Sequence, residues 1–368
     1  MLYGHYDVQP ANKADGWNTD PFKLAITKSR LFGRGVVDNK GQFLIHVATI
    51  LDLIKHNKLK FNIKFLLEGN EETANPEIAG IIKENKDMLA ADIVVVSDGE
   101  IVGNNPVIDS SFRGGFNIKF IFKTANTPLH SGIYGGAVPN AAYELSKTLA
   151  KLYDNQNKVS FADFYTGAPK PTTLQIKNNK SFPFALKDIL KGVGVKQALT
   201  EIETDFLTQT GLRPTAQISG IASGYIGEGF ANIVPNTAEV KINVRTAPGQ
   251  KPKPVLEALL KFFKTNTPKY VKLTSEIEGI HDGAMFDMTT QKVKHAVALL
   301  EKAHKTKVFF KNVGGALPVI VHLNKILKTD TLSISLCNED CNMHGVNENF
   351  KIDLVKKALE FSKLFFGS

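Results

Sequence analysis

Along residues 40–57, Phe43, Leu44, Val47, Ile50, Leu51 and Ile54 recur at helical spacing, with Asp38 and Asn39 just before them as cap candidates. This predicts an amphipathic helix. The run 61–67 has strand texture, a helix is expected around 77–90, and Ile93 to Val96 form a wholly apolar strand. Short apolar strands alternating with amphipathic helices predict an α/β fold with a mostly parallel sheet covered on both faces.

From Arg113 the pattern changes. Phe116, Ile118, Phe120 and Phe122 alternate with Asn117, Lys119, Ile121 and Lys123, and Val240, Ile242 and Val244 alternate with Glu239, Lys241, Asn243 and Arg245. Strands with one exposed face, interleaved with helical segments near 138–153 and 184–205, predict a smaller α+β domain inserted at 113–280. The first domain is then discontinuous, 1–112 and 281–368. Its second part is expected to carry a helix at 288–303, a Gly-Gly turn into a helix at 316–327, a strand at 332–336 and a helix at 350–366.

A chain of 368 residues, 43% apolar and 22% charged, suits two globular domains. The longest apolar runs fall far short of the roughly 20 residues a membrane helix needs. The net charge of +9 comes from lysines spread along the chain, not gathered with aromatics, so neither nucleic acid nor a membrane is expected as partner. The only two cysteines, Cys337 and Cys341, are too few for a disulfide framework and suit a reducing compartment or none in particular, and with no signal region after Met1 the chain is expected to be cytoplasmic. With His344 they could suggest a zinc knuckle, but no fourth ligand stands nearby, and neutral, buried thiols are the preferred reading.

The ends of apolar strands are where open α/β sheets place their sites. His5 and Asp7 follow the first apolar stretch, Asp38 follows Gly33 to Val37, Glu71 and Glu72 follow the strand ending at Leu67, Asp98 follows Val94 to Ser97, and His344 lies beyond Leu336. Singly, Asp38 can be a helix cap, Asp98 a turn residue and Glu71 and Glu72 a polar loop. Together, two imidazoles and several carboxylates supply the mixed nitrogen and oxygen shell that divalent metals accept. Adjacent residues leaving a strand point to different sides, so one of Glu71 and Glu72 can bind metal while the other faces a water. Asp7, two residues after His5, is placed to hold the other ring nitrogen.

These residues lie in ordered motifs: His5-Tyr6-Asp7-Val8-Gln9-Pro10, Gly33-Arg34-Gly35-Val36-Val37-Asp38-Asn39-Lys40-Gly41, Glu68-Gly69-Asn70-Glu71-Glu72, Ser97-Asp98-Gly99, and His130-Ser131-Gly132-Ile133-Tyr134-Gly135-Gly136. Over nearly its whole length the chain resembles the zinc-dependent carnosinase-like dipeptidases, in the clan that includes aminoacylases, glutamate carboxypeptidases and succinyl-diaminopimelate desuccinylases. The resemblance implies a sheet of the zinc-exopeptidase type with a lid or dimerisation domain, and two divalent metal ions per subunit, zinc first, with manganese or cobalt as alternatives. It makes Asp38 the bridging carboxylate, His5 and Asp98 the ligands of one metal, Glu72 and His344 those of the other, and Glu71 the general base. His130 would reach a partner subunit's site in a homodimer formed through 113–280, and Arg245 would grip a substrate carboxylate. Asn232, Gly315 and Ala316 fall where such enzymes contact substrate.

The expected substrate is a dipeptide or small peptide, with an N-acyl-amino-acid deacylase or carboxypeptidase as the alternative. A non-catalytic peptide-binding relative or inactive fragment is the second alternative. Look-alikes carry a further segment before the first metal histidine, so the catalytic domain is expected to lack its N-terminal segment. Ala316 stands where carnosinases often have a serine, which speaks against strict carnosinase specificity. A serine hydrolase is disfavoured, because no Gly-x-Ser-x-Gly elbow is present.

Overall fold

A computed structural model describes residues 1–368 apart from 74, 184 and 202–204. Among the described residues, seven strands make the central sheet. Strand Leu2–His5 runs parallel to Phe65–Glu68 on one side and to Ile93–Val96 on the other, and Asp330–Ser335 continues parallel to Ile93–Val96. Beyond it Val107–Phe112 is antiparallel to Asp330–Ser335, with Phe309–Val313 and Ala284–Met285 attached to it. The parallel strands all point their C-terminal ends to one edge.

Side-chain alternation builds the two cores. Leu2, Val95, Leu332 and Ile334 face the helices Lys40–Lys55, Gln291–His304 and Ile352–Gly367. Tyr3, Val94 and Val96 face the other way, onto Ile78–Glu84 and Pro318–Leu327. The α/β architecture is therefore a mostly parallel sheet with a helical layer on each face.

A second sheet is antiparallel, in the order Lys272–His281, Gly114–Lys123, Thr237–Thr246, Thr215–Ser223. Phe116, Ile118, Phe120, Phe122, Val240, Ile242 and Val244 bury one face against the helices Ala141–Leu149 and Pro252–Asn266, where Phe120 and Phe263 stack with centroids 3.7 Å apart. The opposite face is polar: Asn243 Nδ2 donates to Asn117 Oδ1 at 2.7 Å, and Lys119 pairs with Glu276 at 2.7 Å. The chain crosses between the two sheets at Arg113 and at Asp282 and Gly283.

Several elements differ from expectation. Helix Lys40–Lys55 buries Gln42, Ile45, His46, Thr49, Ile50 and Leu53, while Leu44, Leu51 and Ile54 remain 52–61% exposed, so the buried face keeps Ile50 and packs Phe43 but is rotated about a third of a turn from the expected one. Asn39 makes no side-chain cap bond to that helix. Its side chain instead accepts from His5 N at 3.3 Å and donates to Ser97 O at 2.6 Å. The strand expected from 61 starts at Phe65. The expected 77–90 helix divides at Asn85, whose Nδ2 donates to Ile81 O at 2.9 Å and so competes for a helical carbonyl. Of 184–205, Leu186–Gly192 is helical and stops where Gly194 takes φ 70°; residues 184 and 202–204 lie outside the described residues.

Candidate metal centre

Parallel strands deliver the candidate side chains to one edge of the central sheet. His5 ends the first strand, opposite Glu68 in register, and Glu71 and Glu72 follow Glu68 in the next turn. Asp98 follows Ile93–Val96, Asp38 precedes helix Lys40–Lys55, and His344 sits in the loop after Asp330–Ser335. Two triads of potential ligand atoms, each within 4.8 Å of one another, result: His5, Asp38 and Asp98, and Asp38, Glu72 and His344.

Asp38 belongs to both. Its Oδ1 lies 3.1 Å from His5 Nε2, and its Oδ2 lies 2.8 Å from His344 Nε2. Asp98 Oδ2 is 3.5 Å from the same His5 nitrogen, and Glu72 Oε2 is 3.4 Å from His344 Nε2. His5 Nε2 is buried and finds no partner in hydrogen-bonding geometry among the described residues, although two carboxylates face it. A buried nitrogen lone pair aimed between carboxylates fits a shared cation better than a hydrogen-bond network. The residues present thus fit two divalent ions bridged by Asp38.

Support around the ligands is dense. His5 Nδ1 donates to Asp7 O at 3.2 Å with Asp7 Oδ1 3.3 Å away, and Asp7 Oδ2 accepts from Glu72 N at 3.0 Å, so Asp7 ties both strand ends through its backbone oxygen and its carboxylate. Gln9 Nε2 donates to Glu72 Oε2 at 2.8 Å. Tyr3 OH donates to Glu68 Oε2 at 2.7 Å beneath them.

Crowded carboxylates shape the local charge. Burial, then the charge of Asp98, pushes Glu71 up to about 7. Burial also raises Asp98, against the pull of His5. At Asp38 burial works in the same sense, but His344 and His5 outweigh it and hold its carboxyl below the ordinary range. Burial opposes charge on His5, yet Asp38 and Asp98 raise it to about 11. The protein has gathered negative charge around two imidazoles, which suits cations.

The remaining expected residues fall into separate groups. His130 and Asn232 meet on a short ladder, with Ile233 opposite His130 and Ser131 N donating to Asn232 O at 2.9 Å. His130 is exposed, with Nδ1 accepting from Gly132 N at 3.0 Å, and neither residue touches the triads. Arg245 lies half-buried opposite Gly115 and makes no ion pair among the described residues.

Sequence reasoning missed Arg113, which binds the glycine turn and lies near Arg245. Its backbone N donates to Gly315 O at 3.1 Å and its Nε to Gly314 O at 2.7 Å. Burial and the neighbouring Arg245 lower it to about 10. Ala316 follows, half-buried. His281 lies across Gly115 from Arg245; its Nδ1 donates to Gly279 O at 2.7 Å and its Nε2 is buried without a partner among the described residues. An arginine between two sheet strands, just before Gly114-Gly115, was the available signal.

Cys337 and Cys341 are buried and unpaired. Cys341 Sγ donates to Glu100 Oε1 at 3.1 Å and Cys337 Sγ to Gly99 O at 3.2 Å, while His344 turns to Asp38, so no knuckle forms.

The model of peptidase family M20/M25/M40 matches residues 1–366. Among curated proteins, the Cys-Gly metallodipeptidase DUG1 of Saccharomyces cerevisiae is 28% identical over 366 residues, covering 96% of this chain and 75% of that protein. The Beta-Ala-His dipeptidase of Homo sapiens is 26% identical over 356 residues, covering 94% and 70% respectively. Among solved structures, an M20 family metallo-carboxypeptidase from Sulfolobus solfataricus aligns with a TM-score of 0.88 at 26% identity, covering all of this chain and 84% of that one.

Proposed function

Because the chain belongs to peptidase family M20/M25/M40 and is a metallopeptidase, we propose that it hydrolyses the amide bond of dipeptides or small peptides at the centre bridged by Asp38. The observation that carries this reading is the sharing of Asp38 by both triads, with Glu71 beside them. The ligands are His5 and Asp98 on one side and Glu72 and His344 on the other, and zinc suits this mixture of imidazole and carboxylate. When bound, the two ions supply Lewis acidity to the scissile carbonyl and acidify the attacking water.

Glu71 takes the proton as the water oxygen attacks the amide carbon, then returns it to the nitrogen as the C–N bond breaks. Asp7 keeps His5 in the tautomer with a free Nε2, since its backbone oxygen accepts from Nδ1 and its carboxylate lies beside that nitrogen. Arg245, with no acidic partner among the described residues, binds the substrate's terminal carboxylate, and Gly315, Ala316 and Asn232 contact its backbone. Glu71→Gln should lower kcat by about 10² to 10⁴-fold while leaving bound zinc unchanged; undiminished turnover would show the base to be elsewhere.

The domains are assigned as 1–112 with 281–368 for catalysis and 113–280 for the lid. Ile133, Ile226 and Phe230 stand exposed around the His130–Asn232 ladder, an apolar surface that supports a homodimer formed through the lid, with His130 serving the partner's site. The unpaired thiols suit the cytoplasm, and no described helix is long and apolar enough to cross a membrane. The Sulfolobus similarity supports a carboxypeptidase as the second reading. Free and N-acylated dipeptides separate the two: a dipeptidase cuts only the free form, a carboxypeptidase also the blocked one.

A further inference from the structure

Glu348 lies outside every motif that marked the site. Its side chain is fully buried, and its carboxylate accepts from four groups of the segment that leads into Asp38. Gly35 N reaches both oxygens at 3.1 and 3.0 Å, Val37 N donates at 2.9 Å, Asp38 N at 3.2 Å and Arg34 Nη1 at 2.8 Å. Backbone amides converging on one carboxylate form an anion nest that fixes a stretch of chain lacking regular structure.

The same arginine turns to the other side of the centre. Arg34 Nη2 donates to His344 O at 3.2 Å and to Gly345 O at 3.1 Å, while the ring of Trp17 lies 5.3 Å from its guanidinium carbon. His344 holds φ 61°, a left-handed conformation that is costly for a residue with a Cβ and needs surrounding bonds to persist. Asp38 and His344 are thus tied through one buried ion pair. His5 and Asp98, by contrast, follow directly from paired strands of the central sheet and depend less on it.

A buried ion pair is weak grounds for stability alone, because removing both charges from water costs much of what their attraction returns. A geometric role accounts for it better. We propose that Glu348 is a positioning residue that, through Arg34, sets the spacing of Asp38 and His344 and thereby the affinity of the Asp38–Glu72–His344 cation position. The inference rests on the two-metal reading above.

The test is zinc titration of the folded full chain against a competing chelator, for the wild type, Glu348→Gln and Arg34→Gln, with thermal unfolding of each metal-free protein. Arg34→Gln keeps the three backbone amides on Glu348 and removes the arginine's bonds to Glu348, His344 and Gly345, so it serves if Glu348→Gln fails to fold. The expected result is two binding events in the wild type, of which one weakens by about 10 to 100-fold in each variant while the other stays within about threefold. Two unweakened events in a folded variant, or equal weakening of both, overturns the positioning role and leaves the two-metal reading standing. A wild-type chain that binds no zinc overturns both.

Discussion

Asp109 shows how burial sets a charge with no role in the proposed chemistry. It lies within the central sheet, with Ser333 Oγ donating to its Oδ2 at 2.8 Å, and burial raises it to about 6 although Lys311 pulls the other way. A carboxyl raised above its unfolded value favours folding fully below about pH 4, and that contribution fades as pH rises through about 6. Asp109→Asn keeps an acceptor for the serine and loses the titration. Urea unfolding of the two proteins with chelator present should show the variant gaining about 3 kcal/mol on the wild type between pH 4 and pH 7. A difference that does not vary with pH would mean that Asp109 ionises freely in the fold. At this same scale the metal-type side chains were legible, because His5, Asp38, Glu72, Asp98 and His344 each sit just beyond or beside a patterned element. Glu348 and Arg34 were not: their significance lies in backbone groups they bind, and backbone donors leave no mark in a sequence.

Helix Lys40–Lys55 explains why the strands were easier to read than the helix beside them. Apolar residues occur almost all round it, so spacing alone could not choose a face. The buried face was chosen by polar groups: Gln42 bridges Val37 O at 2.9 Å and Leu336 N at 3.0 Å, and His46 sits between Ser97 Oγ at 2.9 Å and Ser362 Oγ at 3.1 Å. Strand Gly114–Lys123 has only two faces, and its alternation of phenylalanine and isoleucine with asparagine and lysine decides between them. The helix start is also where element and site meet. A Cβ at Gly41 would stand 1.8 Å from Val36 O, inside the segment that carries Asp38. Gly41→Ala should therefore lower stability by about 2–3 kcal/mol and reduce zinc affinity together. A variant with wild-type melting temperature and zinc binding would show that this close approach has no consequence for the site.

At the scale of the whole molecule, two layers of different physics meet along Arg113 and Gly283. The parallel sheet, covered on both faces, can offer only its strand ends to a ligand, and there the carboxylates and imidazoles gather. The antiparallel sheet, covered on one face, leaves a polar surface and the exposed apolar residues around His130. If two chains share sites through that surface, the particle in solution has twice the chain mass of 40.4 kDa. Mixing His130→Ala with Glu71→Gln subunits should then restore part of the activity each lacks alone, because one hybrid site regains both groups. Light scattering at the single-chain mass, or mixtures that stay inactive, would remove His130 from the partner's site. The catalytic reading depends on one carboxylate serving two ions. Counting zinc per folded chain by elemental mass spectrometry, for the wild type and Asp38→Ala, tests that dependence most directly. Two ions in the wild type and loss of both in the variant are predicted, since each triad falls to two ligands; a wild type holding fewer than two, or a variant that keeps two, would contradict it.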